Sequence, residues 1–148
     1  MYLTSKEIKQ DPERRWAQRD RAFFGKGGCG ILAGVYLKMF PNEGVWAEKI
    51  VPDGRFGGNH IFVTDGHLAF DYRGYCLRES LLANHAKGWR QLRGAEWDFT
   101  TKRIDFDLLS TVEMNANELL GPDQYLHDPV LRAEAFIKAQ RHRSGCNT

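Results

Sequence analysis

The stretch NHIFVTDGHLAFDYRGY, from Asn59 to Tyr75, decides the fold, because it has the form of a β-hairpin. Asp65-Gly66, set between apolar runs, predicts a two-residue type I′ turn, which needs φ > 0 at both positions and is best tolerated by Asp, Asn and Gly. A two-residue turn dictates the register. Thr64 then faces His67, Val63 faces Leu68, Phe62 faces Ala69, Ile61 faces Phe70 and His60 faces Asp71. Directly opposed residues share a face of the sheet. One face therefore carries Ile61, Val63, Leu68 and Phe70 and is expected to meet a core. The other carries His60 beside Asp71, with Cβ atoms expected roughly 5 Å apart. A carboxylate beside an imidazole fixes its tautomer and orientation, which a catalytic base requires.

Upstream, GKGGCGILAGVYLKMF (Gly25 to Phe40) places Cys29 after a Gly-rich loop and at the head of an apolar segment. Ile31, Val35 and Met39 recur at i, i+4 and i+8, and Leu32, Tyr36 and Phe40 repeat the pattern one step round. This predicts a buried central helix over 29–40, ended by Pro41. A helix N-terminus lowers a thiol pKa through its dipole and free N–H groups, and the thiolate is the nucleophile. A buried cysteine is more often a small hydrophobe. Here two preceding glycines leave the sulfur accessible, and the helix is expected to pack over the His60–Asp71 side. Cys29, His60 and Asp71 then form a set of nucleophile, base and orienter. His67 is the competing base, expected to be exposed near the turn beside Thr64. His85 reads as a solvated charge near a helix end, and His127 and His142 as surface residues.

Working outward, Thr4 to Glu7 is a capping box. Asp11-Pro12 starts a helix that should run to about Ala22 or Phe24, with Trp16, Ala17 and Phe23 towards the core. Val45 to Val51 reads as a strand, and Arg73-Gly74 as a turn. Leu77 to Ala86 reads as a helix closed by Gly88, and Glu96 to Asp107 as one or two strands. Ser110 is expected to cap a helix through Leu120. Asp128-Pro129 starts the last helix, to about Arg143, with Leu131, Ala135 and Ile137 inward. The order implies one α+β domain over residues 1–148, with the cysteine helix packed on a small antiparallel sheet.

Of the 148 residues, 42% are hydrophobic, enough for a sizeable core. No apolar run reaches the ~18 residues of a membrane span, and the first residues lack the apolar region of a secretory signal. We expect no membrane association and a cytoplasmic protein, or an effector exported without such a signal. A net charge of +2, with acids interleaved among the basic residues of the N-terminal segment, argues against nucleic-acid binding. Cys29, Cys76 and Cys146 are too few and too scattered for a disulfide framework. Neither C-x-x-C nor helically spaced histidines occur, and Gly25-Lys26-Gly27-Gly28 lacks P-loop spacing, so no metal or other cofactor is expected.

A cysteine heading a buried helix, then a strand histidine, then an aspartate on the neighbouring strand resembles the papain-like superfamily. The segment from Gly25 to Tyr75 is closest in form to the small bacterial transglutaminase-like and NlpC/P60-like enzymes. The resemblance implies a minimal papain-like core in which Cys29 is the nucleophile, His60 the base and Asp71 the orienter. Papain-type proteases carry a glutamine a few residues before the cysteine; here Phe23, Phe24 and Lys26 stand in that region. The oxyanion donors are therefore expected to be backbone N–H groups of Gly27, Gly28 and Cys29.

Together these readings predict a thiol hydrolase or acyltransferase acting on an amide bond of a protein or peptide. Peptidase, glutamine deamidase and transglutaminase chemistry all remain open. The alternative is a non-catalytic binding or inhibitor module on the same scaffold, with Trp46, Trp89 and Trp97 as interface anchors. Core burial is the more expected fate for at least two of these tryptophans.

Overall fold

The computed structural model describes residues 6–54 and 56–140. Thr4 and Ser5 of the capping box, Arg141 to Arg143 and Cys146 lie outside the described residues. In chain order the elements are α1 (Lys6–Gln10), α2 (Pro12–Trp16), α3 (Asp20–Gly25), α4 (Cys29–Met39), β1 (Trp46–Pro52), β2 (His60–Thr64), β3 (Leu68–Asp71), β4 (Gly74–Leu77), α5 (Arg78–Arg93), β5 (Phe99–Arg103), α6 (Thr111–Ala116), a 3₁₀ turn (Pro122–Gln124) and α7 (Pro129–Ala139). The fold class is α+β. Among the described residues, five strands form one antiparallel sheet in the order β4-β3-β2-β1-β5.

Each face of the sheet meets a core of its own. On one face α4 packs on Ile61, Val63 and Phe70, with Ala133, Phe136 and Ile137 of α7 in the same cluster. Every residue of α4 from Cys29 to Tyr36 is buried, which is why its sequence is apolar on all sides. On the other face Leu81, Ala86 and Trp89 of α5 meet Ile50, Phe62, Ala69, Cys76 and Trp97. The strand β2 is thus buried from end to end, and its sequence HIFVT has no solvent face to alternate with. Trp89 and Trp97 are core residues, 4% and 0% exposed, and do not serve as surface anchors.

The hairpin is not closed by a two-residue turn. Val63 pairs with Phe70 and Thr64 with Ala69, so the register is shifted by two from the predicted one. Asp65 is outside the left-handed region that a type I′ turn requires. Its carboxylate instead accepts from the N–H groups of His67 and Leu68, both at 2.8 Å. The Thr64 hydroxyl accepts from Gly66 N–H at 2.9 Å and donates to the Leu68 carbonyl at 2.6 Å. These side-chain bonds stabilise a wider loop. A shift of two preserves strand parity, so the face assignments survive while the rungs do not.

Several helix limits differ for identifiable reasons. The expected long second helix breaks after Trp16, because Arg132 of α7 binds the Trp16 and Gln18 carbonyls, each at 2.6 Å. The expected stop at Gly88 is overrun. Trp89 is buried beyond it, and burial of a large apolar side chain, about 1.5–3 kcal/mol, exceeds the roughly 1 kcal/mol cost of a helical glycine. The helix ends at Gly94, with φ 110°. In α7 the inward residues are Ala133, Phe136 and Ile137, whereas Leu131 is 64% exposed and Ala135 is also exposed.

Candidate active site

Cys29 is the first residue of α4 and His60 the first of β2. The helix lies on the Ile61–Val63–Phe70 face, not over the His60–Asp71 side as expected, so the two residues meet where both elements begin, at one end of the sheet. Asp71 closes β3. In the shifted register it stands one rung beyond Phe70, across from Phe62, and reaches His60 diagonally. The contact is direct, with His60 Nε2 to Asp71 Oδ2 at 2.9 Å. A carboxylate only accepts, so Nε2 carries the hydrogen. Nδ1 is the nitrogen left for Cys29, whose thiol hydrogen-bonds to the ring. His60 and Asp71 are each 2% exposed and Cys29 is 9% exposed, so the chain of contacts is almost dry.

The charges of the three groups are interlocked. Burial drives the Cys29 thiol up, but the hydrogen bond and charge of His60, with the N–H groups of Ile61 and Gly30, hold it below its ordinary value. Burial drives His60 down, but the hydrogen bonds to Asp71 and Cys29 and the charges on both lift it to about 9. Burial would raise Asp71, yet His60 and then Arg73 keep its carboxyl below the usual range. These directions favour the charged forms, thiolate on Cys29 and imidazolium on His60, with a carboxylate behind them. Arg73 NH2 lies 3.1 Å from Asp71 Oδ2, and the Arg73 N–H donates to Oδ1 at 2.9 Å. Arg73 thus holds the Asp71 carboxylate by both oxygens. It was not singled out from the sequence, although its place two residues after Asp71 in a turn fits an Asx contact.

His85, expected to be a solvated charge, is a half-buried neighbour of the site. Its ring stacks on His60 at 5.6 Å between centroids and 16° between planes. It donates from Nε2 to the Gly58 carbonyl at 2.7 Å. Burial holds His85 down to about 4, so it is neutral near pH 7 and adds no charge beside His60. His67 is exposed in the turn and is absent from the residues contacting the site.

A cleft of about 330 Å³ opens at Cys29, lined by Lys26, Gly27, Cys29, Lys49, Asn59, His60, Glu118 and Leu119 among others. Of the three expected oxyanion donors, Gly28 is withdrawn. Its N–H donates to the Phe23 carbonyl at 2.8 Å. Gly27 lines the cleft, and its carbonyl accepts from the Tyr125 hydroxyl at 3.1 Å. The Cys29 N–H is a first-turn amide that the helix itself leaves unbonded. Phe23 and Phe24 are buried, so Lys26 is the polar side chain of that segment that reaches the cleft. Its ammonium also sits 5.4 Å from the centre of the Trp89 ring.

Among the described residues, no group of three or more His, Cys, Asp or Glu side chains is arranged to hold a metal ion, and no helix is long and apolar enough to cross a membrane. No family model, curated protein or solved structure matches the chain.

Proposed function

We propose that this protein is a cysteine-dependent acyl-transfer hydrolase acting on an amide bond in a protein or peptide, on a minimal papain-like core. The observation that carries this reading is the unbroken buried chain from the Cys29 sulfur through His60 to Asp71, ending in an open cleft. In the reaction the Cys29 thiolate bonds to the carbonyl carbon. The resulting oxyanion is met by the Cys29 N–H at the helix N-terminus. As the C–N bond breaks, the leaving nitrogen takes the His60 proton. His60 then accepts a proton from water, or from an acceptor amine, as that nucleophile opens the thioester and returns the sulfur to the thiolate. Peptide cleavage, glutamine deamidation and transamidation share these steps and differ in the leaving group and the acceptor.

The test is the rate of iodoacetamide alkylation at Cys29 against pH, read by mass spectrometry, with Cys76 as internal control. Fast reaction below pH 7 is expected, with His60→Ala moving the profile up towards the ~8.5 of a free thiol. A Cys29 that titrates like Cys76 whether or not His60 is present would sink the enzyme reading.

A further inference from the structure

We propose that the substrate carries an acidic side chain on the acyl side of the reacting amide, seated against Lys49. The inference rests on Cys29 being the nucleophile and names what its cleft selects. After attack, the acyl group is bonded to the Cys29 sulfur and must lie in the cleft that Cys29 lines. Lys49 lines that same cleft, from the middle of β1, directly across the strand pair from Ile61. It is half-buried. On its other side, in β5, it faces Lys102.

Two like charges opposed on neighbouring strands repel one another. Among the described residues, neither Lys49 nor Lys102 forms an ion pair, whereas arginines of the fold do. Arg73 is matched to Asp71, Arg78 to Glu48 and Arg132 to Asp20. Among the described residues that line the cleft, Glu118 is the only carboxylate, against the ammonium groups of Lys26 and Lys49. The strand pair therefore leaves two opposed lysines without an ion pair beside Cys29. A substrate carboxylate would relieve that repulsion, and a lysine side chain in the same place would add to it. This is selection by attraction and repulsion together.

The experiment uses three peptidyl vinyl sulfones that differ only in the residue next to the electrophilic one: Glu, Gln or Lys. The second-order rate of Cys29 labelling is measured by intact-protein mass spectrometry at low and at high salt. Glu is expected to label about fivefold faster than its isostere Gln, as a half-exposed ion pair would give, and Lys slower than Gln. High salt should shrink the spread. Lys49→Gln should erase it and Lys49→Glu reverse it. Lys102→Glu, at an exposed position of the edge strand, should also lower the preference and carries the test if the Lys49 variants do not fold. Equal rates for Glu and Gln, or a Glu preference untouched by these substitutions, would overturn the inference. If unselective probes label a Cys29 that iodoacetamide finds fast and His60-dependent, only the substrate inference falls. If iodoacetamide itself finds Cys29 inert, the enzyme reading falls first.

Discussion

Asp71 is a buried carboxylate with two charged-group partners. It accepts from His60 and from Arg73, and it is 2% exposed. Substituting Asn keeps the size and removes the charge. The amide can no longer balance an imidazolium, so His60 loses its main support for the protonated state, and Arg73 loses its partner. Removing one member of a buried ion pair leaves the others uncompensated, and Asp71→Asn is expected to cost about 3 kcal/mol of stability by urea unfolding. It should also slow Cys29 alkylation at pH 7 about a hundredfold, in the range that loss of a positioned base gives. An unchanged alkylation rate would show that Asp71 serves packing alone. The His60–Asp71 contact was legible in the sequence because strand parity alone puts the two residues on one face, and parity survives a shift of two. His85 was not legible. Its approach to His60 depends on α5 running past Gly88 and lying across the sheet, which no local pattern encodes.

At the scale of elements, the site depends on how α7 holds the segment that leads to Cys29. Arg132 donates to Asp20 Oδ1 at 2.8 Å as well as to the carbonyls of Trp16 and Gln18, so one side chain caps the end of α2 and braces the start of α3. Its guanidinium also lies over Phe23, 4.1 Å from the ring centre, and the Phe23 carbonyl holds Gly28 in place. The broken helix was therefore not to be found between residues 11 and 24. Its cause lies more than a hundred residues away in the chain. Arg132→Ala strands two carbonyls, and the expected loss is roughly 2 kcal/mol, seen as a lower unfolding midpoint. Arg132→Lys should recover only part of it, because an ammonium cannot make the planar fork. Full recovery by Lys would mean that charge, and not the fork, holds α2 and α3. The hairpin turn failed differently. Asp-Gly favours the type I′ turn, but Thr64 and Asp65 together offer side-chain bonds that a two-residue loop has no room for.

For the whole molecule, the sheet is a wall between two cores, and the buried charges sit at one end of it. The pH dependence of stability follows from counting protons on the Cys29–His60 pair. An imidazolium–thiolate pair holds one proton near pH 7.5, on His60, and the unfolded chain also holds one, on the thiol. The counts match, so the wild-type stability should be nearly flat between about pH 6.5 and 8.5. The two contributions cancel because they have opposite signs. His60, lifted to about 9, gives stability that is lost as pH rises through that value, while Cys29, held low, gives stability that returns as pH rises towards the ordinary thiol value. Cys29→Ala removes the second and, with it, the part of the His60 lift that Cys29 supplies. Asp71 still supports the imidazolium, so the folded variant holds one proton where its unfolded chain holds none. Its stability should fall across this window as pH rises through the less-raised pKa that Asp71 alone gives His60. On the acid side both proteins should weaken together as pH drops from about 6.5, because His85, held down to about 4, takes up its proton in the unfolded chain first. Urea midpoints at pH 5, 6.5, 7.5 and 8.5 for the two proteins make the comparison. Divergence only above pH 6.5 is the signature of an imidazolium–thiolate pair. Parallel curves throughout would mean that the folded protein keeps a neutral thiol beside a neutral imidazole, and the nucleophile would then have to be formed during the reaction instead of standing ready before it.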